Sequence, residues 1–211
     1  MGAPTLLSVL MMRDKILEAT VVELDQHGIT QFRVKRVAAL AGVSIPLLYS
    51  YFGNREGLMA AAIVTRYRTV MTGLVEIFTE PLKHVETATD LNAALAVMIA
   101  EAQEPERTTA RLLRLEGISF AQHNPEVSEG IEQVKRDAST TIMETVQPIV
   151  DRRLLADGMS GEAFARIWYA LFFGQVAVEG EHALSVSSDA WLSALSVLAS
   201  AMVRDRASPR V

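Results

Sequence analysis

The stretch Ala41-Gly42-Val43-Ser44-Ile45-Pro46-Leu47-Leu48-Tyr49-Ser50-Tyr51-Phe52 gathers residue types whose spacing can do chemistry. Gly42 can take positive φ and make a sharp turn, Val43 can plug its corner, and Ser44 can cap a following helix. Pro46 falls in the first turn of that helix, where its missing N–H has no intrahelical partner to lose. Leu48 and Phe52 then share the inward face. Leu47, Tyr49, Ser50 and Tyr51 are left outside, with Arg33, Lys35, Arg36 and Arg55 flanking them. Hydroxyls and cations of this kind bind phosphate oxygens. The chemistry is recognition of a polyanion. The turn taken alone is equally a common way to pack two helices; the exposed aromatic pair, which has no purpose on a solvated face, argues for a partner.

The elements that must hold this segment are helical. Val34, Val37, Ala38 and Ala41 recur at i, i+3, i+4 and i+7, which makes one buried face, and the two alanines admit a close neighbour. Ile16, Thr20 and Leu24 form a stripe on a preceding helix that ends at His27-Gly28, where glycine suits a helix stop. Elsewhere strand signals are nearly absent and proline and glycine punctuate helical periodicity. The spacing predicts about nine helices, near 12–27, 34–41, 45–52, 55–79, 88–103, 107–123, 126–154 (kinked or broken before Pro148), 160–183 and 188–205. The expected fold is all-α: a three-helix helix-turn-helix domain over 13–58 and a larger helical domain over 59–211, with the helix from 55 shared between them. Residues 1–12 read as a weakly ordered arm, with Met11 or Met12 as alternative starts.

Composition limits the alternatives. Half of the 211 residues are apolar, so a packed core is available. No cysteine is present, which removes disulfides, thiolate zinc sites and a thiol nucleophile. His27, His84, His123 and His182 stand outside metal-ligand spacing, and neither a glycine-rich phosphate loop nor a nucleophile motif appears. No enzyme, metal or cofactor is expected. No apolar run reaches the 18 to 20 residues or so of a membrane span, and a soluble cytoplasmic protein is expected. The net charge of −5 is uneven: residues 1–58 carry +1 and residues 59–211 carry −6. A phosphate-binding face must therefore lie near the N-terminus.

The segment Ile16-Leu17, Gly28, Val34, Val37-Ala38, Ala41-Gly42-Val43-Ser44, Leu48-Tyr49, Tyr51-Phe52-Gly53-Asn54-Arg55-Glu56 and Leu58 resembles the DNA-binding domain of the TetR family of bacterial repressors. The resemblance covers about residues 13–60. It implies that Ser44, Ile45, Pro46 and Leu47 approach base edges and that Tyr49, Tyr51 and Arg55 contact phosphate. Arg33 departs from the Thr or Ser usual at its position; it can keep a phosphate contact but cannot cap, which leaves either Thr30 or Gln31 to do so or a looser helix start. Gly57 replaces a better helix former, an apparent loss of up to about 1 kcal/mol relative to alanine. The recognition helix has no Arg, Asn or Gln for a bidentate base contact. Sequence is then read through thymine methyls and DNA shape.

In the C-terminal body, Phe164, Trp168, Leu171 and Phe172 belong to a helix apolar around nearly its whole circumference, and Trp191, Leu195, Leu198 and Met202 to a second broad apolar surface. Their cover is read as a second copy of the chain, a twofold four-helix interface. The resemblance also implies a dimer. Met98, Leu112, Glu116, Phe120, Thr141, Glu144 and Tyr169 are candidate pocket residues for a mostly apolar small molecule, with Glu116 alternatively pairing with a surface base such as Arg114. The combined expectation is a dimeric, ligand-released repressor of a palindromic operator. A DNA-binding regulator without an effector, and an all-α enzyme, stand as alternatives.

Overall fold

The computed structural model describes residues 6–104, 106–178 and 186–204. Among them are nine α-helices and no β-strand: α1 (Leu6–His27), α2 (Val34–Ala41), α3 (Ile45–Phe52), α4 (Arg55–Thr79), α5 (Ala88–Ala102), α6 (Glu106–Ala121), α7 (Pro125–Asp151), α8 (Gly161–Val178) and α9 (Ser188–Met202). One 3-10 turn, Glu80–Leu82, follows α4. The all-α expectation holds, and most helix ends fall within a residue or two of the punctuation that predicted them.

Two expectations need correction. The arm over residues 1–12 is helical from Leu6 onward, because Leu6 to Met12 are mostly good helix formers with no breaker among them; residues 1–5 lie outside the described residues. Leu7 and Met11 nonetheless remain about two-thirds exposed. The second correction concerns Pro148, which neither breaks nor ends α7. The helix finishes three residues later with Arg153 in the left-handed region at φ 55°, and the Leu154 N–H bonds back to the Ile149 carbonyl at 3.1 Å. That closure satisfies the last carbonyls. The final residues of the helices expected over 160–183 and 188–205 lie outside the described residues.

The chain forms two compact units. One comprises the chain up to Thr69 together with Leu115–Val134; the other comprises Val70–Arg114 and everything from Lys135 on. In the first unit α1 packs on α2 and α2 on α3. Its buried residues include Ile16, Leu24, Val37, Leu48, Leu58 and Tyr67. In the second, α5 packs on α9, and the aromatic series Phe78, Phe164, Trp168 and Phe172 runs through two T-shaped contacts and one tilted one at centroid spacings of 6.2, 6.4 and 5.5 Å. Thr87 starts α5 with a capping box: its hydroxyl accepts the Asp90 N–H at 3.2 Å, and Asp90 accepts the Thr87 N–H at 2.8 Å.

Candidate functional site

Local chemistry builds the turn between α2 and α3. Gly42 stands at φ 65°, ψ 37°, and donates its N–H to the Ala39 carbonyl, while Val43 N–H reaches back to Ala38 at 3.0 Å. These bonds satisfy the last carbonyls of α2 and reverse the chain within two residues. Ser44 then caps α3, its hydroxyl accepting the Leu47 N–H at 3.3 Å. Only Leu48 is fully buried in α3. Leu47 is 40% exposed, Ser44, Pro46 and Ser50 are exposed, and Ile45, Tyr49 and Tyr51 are half-buried. Ser50 has already given its hydroxyl proton to the Leu47 carbonyl at 2.6 Å, leaving it an acceptor toward anything outside. Phe52, expected inward, is only half-buried and carries Arg13 over its ring at 5.1 Å.

The flanking cations divide into two kinds. Arg36 does not stand free for phosphate. Its guanidinium is held by the buried carboxylate of Glu23, with Nε at 2.8 and 2.9 Å and Nη2 at 2.5 Å, and Nη2 also donates to the Gln31 carbonyl at 2.6 Å. Glu23 further accepts the Arg33 backbone N–H at 3.0 Å. A carboxylate from α1 thus sits at the N-terminus of α2, where the helix dipole favours it, and does what Thr30 and Gln31 were expected to do. Arg33 itself makes no side-chain cap, as anticipated. Burial pushes the Glu23 carboxyl pKa up, but the Arg36 and Arg33 hydrogen bonds and the charges of Arg36 and His27 outweigh it. The carboxyl ends below its ordinary value.

Arg33 and Lys35 are exposed. Arg55 is half-buried and stacks over Phe32 at 5.4 Å, which fixes its stem. Lys15 was missed: its ammonium lies beside the turn, 3.9 Å from where a Cβ on Gly42 would stand. The signal was available in the register of α1, since Lys15 precedes the buried Ile16. Gly57 needs a second correction. A methyl there would stand 2.3 Å from the Phe52 carbonyl oxygen, so glycine is required by the close approach of α4 to the end of α3. Asn54 caps that helix, accepting the Gly57 N–H at 2.8 Å.

The residues expected at a pocket divide between the two units. Met98 is sealed in the core of the second unit, and Leu112 is 53% exposed. Glu116 and Phe120 belong to the first unit. There Glu116 pairs with Arg66 at 3.0 Å, and Arg66 also holds Asp25 of α1 at 2.9 Å. Phe120 lines an open groove with Glu56 and His123. Thr141 and Glu144 face solvent, the Thr141 hydroxyl bonding the Asp137 carbonyl of its own helix. Tyr169 lies beside Met71, Ile142 and Met143 in a cleft of about 390 Å³. Among the described residues no three metal-ligating side chains cluster.

The expected interface residues divide as well. Phe164, Trp168, Phe172, Leu195 and Met202 are buried in the core of their own unit, so the chain covers by itself the face assigned to a second copy. Leu171 and Trp191 are half-buried and Leu198 is 39% exposed. The apolar and small residues that α8 and α9 leave outside are Ala163, Ala170 and Gly174 on one, beside exposed Glu162 and Arg166, and Ala190, Ala194, Val197 and Ala201 on the other, beside exposed Asp189 and serines. Helical phase settled this. Periodicity identified both helices as apolar all round without saying which stripe the chain itself would cover.

Residues 16–62 match the model of the family described as bacterial regulatory proteins, tetR family. The HTH-type transcriptional regulator BetI 2 of Chromohalobacter salexigens is 34% identical over 62 residues, covering 29% of this chain and 28% of that protein. An HTH-type transcriptional repressor of Streptomyces coelicolor is 41% identical over 49 residues, covering 23% of this chain and 26% of that protein. The match therefore spans only about a quarter of these relatives. In fold the similarity is broader. A TetR-family regulator of Cytophaga hutchinsonii superposes with a TM-score of 0.66 at 13% identity, over 97% of this chain and all of that one. Bacillus subtilis FadR, solved in complex with stearoyl-CoA, superposes with a TM-score of 0.55 at 16% identity, over 88% of this chain and 96% of that one. Residues 16–62 are thus similar in sequence to the helix-turn-helix of the bacterial regulatory proteins of the tetR family, and nearly the whole chain shares the fold of solved TetR-family regulators.

Proposed function

We propose that this chain is a dimeric transcriptional repressor that binds a palindromic operator through residues 13–58 and is released by a small molecule bound within residues 59–211. The observation that carries this reading is the capped α3. It stands on a glycine turn with Leu47, Ser44 and Pro46 exposed and both tyrosines partly so. In this role Ser44, Ile45, Pro46 and Leu47 meet base edges. Arg33, Lys35, Tyr49, Ser50, Tyr51, Arg55 and the newly added Lys15 meet phosphate, and Arg36 acts through the loop it holds. The repressor among the curated relatives and the ligand-bound FadR are the precedents for the two halves of the reading.

Dimerisation supplies the register. Two recognition helices must lie roughly 34 Å apart, or a multiple of it, to enter successive major grooves. The small-residue faces of α8 and α9 are the proposed contact, since they let a partner's backbone approach closely. The effector need only bind better to the conformation unable to hold DNA; its leverage is limited to that difference in affinity. No helix among the described residues is long and apolar enough to cross a membrane, and the proposed place of action is the cytoplasm.

Selection of bound sequences from random duplexes tests the proposal. A palindrome is expected, with affinity falling steeply as salt rises because phosphate contacts release counterions. Failure to retain any duplex at low ionic strength would overturn it.

A further inference from the structure

Helix α6 buries the face that its composition argues against burying. Leu112 is 53% and Leu115 38% exposed, while Arg111 and Arg114 are 6% and 1% exposed. Local pattern and tertiary placement conflict here, and such conflicts gather at functional sites. The two arginines are treated differently. Arg111 donates to the Ala102 carbonyl and to the Thr108 hydroxyl, each at 3.1 Å, so its charge sits at the C-terminus of α5 where the helix dipole welcomes it. Arg114 has no such partner. Its guanidinium lies over the rings of Tyr169 and Phe173, at 5.0 and 4.7 Å, and the two rings stack at 6.4 Å. Its Nε and Nη2 are buried with no hydrogen-bond partner among the described residues.

Arg114 and Arg111 both line a cavity of about 40 Å³ inside the second unit, walled besides by Val70, Leu74, Ala102, Ala110 and Phe172. That exceeds the 10–15 Å³ or so that one water needs. Ile77 and Arg107 are shared with an adjoining cleft of about 460 Å³. The cleft includes apolar Pro81 and Val97, but also Glu76, Glu80 and Glu101. An unpartnered buried cation is expensive, and a guanidinium with rings against its face offers N–H groups at its edge for an oxyanion. In the outer cleft Glu80 is paired with Lys83 and Glu101 with Arg107, so with Glu76 also there a second negative group finds no cation awaiting it.

We infer that Arg114 anchors the carboxylate of a mono-anionic, otherwise apolar ligand, its head in the small cavity and its body toward the cleft. The inference rests on the effector reading above and gives that effector a chemical class. It narrows the mostly apolar small molecule expected from the sequence to one with an anionic head.

The test uses the full chain without DNA. Octanoate and 4-phenylbutyrate are compared with 1-octanol and 4-phenylbutanol by melting temperature and by the fluorescence of Trp168 in a Trp191→Phe background, since Trp168 packs against the cavity-lining Phe172 at 5.5 Å. At least one carboxylate is expected to raise the melting temperature and to bind at least tenfold more tightly than its matched alcohol. Arg114→Met should bring that ratio near one and raise the melting temperature of the free protein, since it deletes an unpaired buried charge. Arg114→Lys keeps the charge without the fork and should weaken carboxylate binding while leaving alcohol binding unchanged. Several results would overturn the inference: no response to any probe, equal response to acids and alcohols, a preference surviving in Arg114→Met, or a free Arg114→Met protein that melts lower. A failed helix-turn-helix would show instead in duplex titrations and leave this result standing.

Discussion

The carboxylate of Glu23, fully buried in α1, holds the guanidinium of Arg36 in α2 through contacts of 2.5 to 2.9 Å. The same pair draws in the Arg33 backbone N–H and the Gln31 carbonyl, so one ion pair fixes the loop between the first two helices and the angle at which α2 leaves it.

Glu23 makes the N-terminal unit acid-sensitive. Its carboxyl pKa is lowered in the folded chain, so the stability it contributes is complete above the ordinary carboxylate value of about 4.3 and is lost as pH falls through the lower folded value. Glu23→Gln should reduce stability at neutral pH and flatten the acid limb of the melting profile below about pH 4.3. Loss of a hydrogen-bonded buried carboxylate facing a retained cation costs on the order of 2 kcal/mol. Circular dichroism melts from pH 3 to 7 check this; an unchanged acid limb would refute it.

Gly57→Ala separates two physical effects of opposite sign. Helix propensity alone predicts a gain of up to about 1 kcal/mol. The 2.3 Å approach to the Phe52 carbonyl predicts instead a loss of about 1 to 3 kcal/mol from overpacking. The variant should melt lower and bind its operator more weakly, because the join between α3 and α4 must shift. Chemical denaturation measures the sign.

Placing a charge on the outer face of α8 or α9 should split the proposed dimer without unfolding the subunit. Ala170→Glu and Val197→Glu alter exposed positions, Val197 being 71% exposed, and each should change monomer stability by less than about 0.5 kcal/mol. Sedimentation should show monomers, and operator affinity should fall by roughly a hundredfold or more as avidity is lost. Trp168→Ala is the contrast: it empties a fully buried site in the chain's own core and should cost about 3 to 5 kcal/mol of folding stability.

Thymine methyls should carry much of the base recognition by Ile45, Pro46 and Leu47. Each buried methyl contributes about 0.8 kcal/mol, so replacing a contacted thymine by uracil should weaken binding about fourfold. Fluorescence anisotropy with substituted half-sites measures it, and equal affinity for both duplexes would show that bases are read in another way.

Local chemistry made the helix-turn-helix legible before any packing was known. Positive φ at Gly42, the Ser44 cap, Pro46 in the first turn and the stripe Val34, Val37, Ala38 and Ala41 are set by residues within a few positions of one another. Periodicity likewise fixed nearly every helix. Tertiary structure alone decided which stripe of an all-apolar helix faces inward, as at Trp168 and Ala170. It alone paired Glu23 with Arg36 across thirteen residues and left Leu112 in solvent with Arg114 inside. Those choices depend on groups brought together from distant parts of the chain, whose free energies of burial no local spacing encodes.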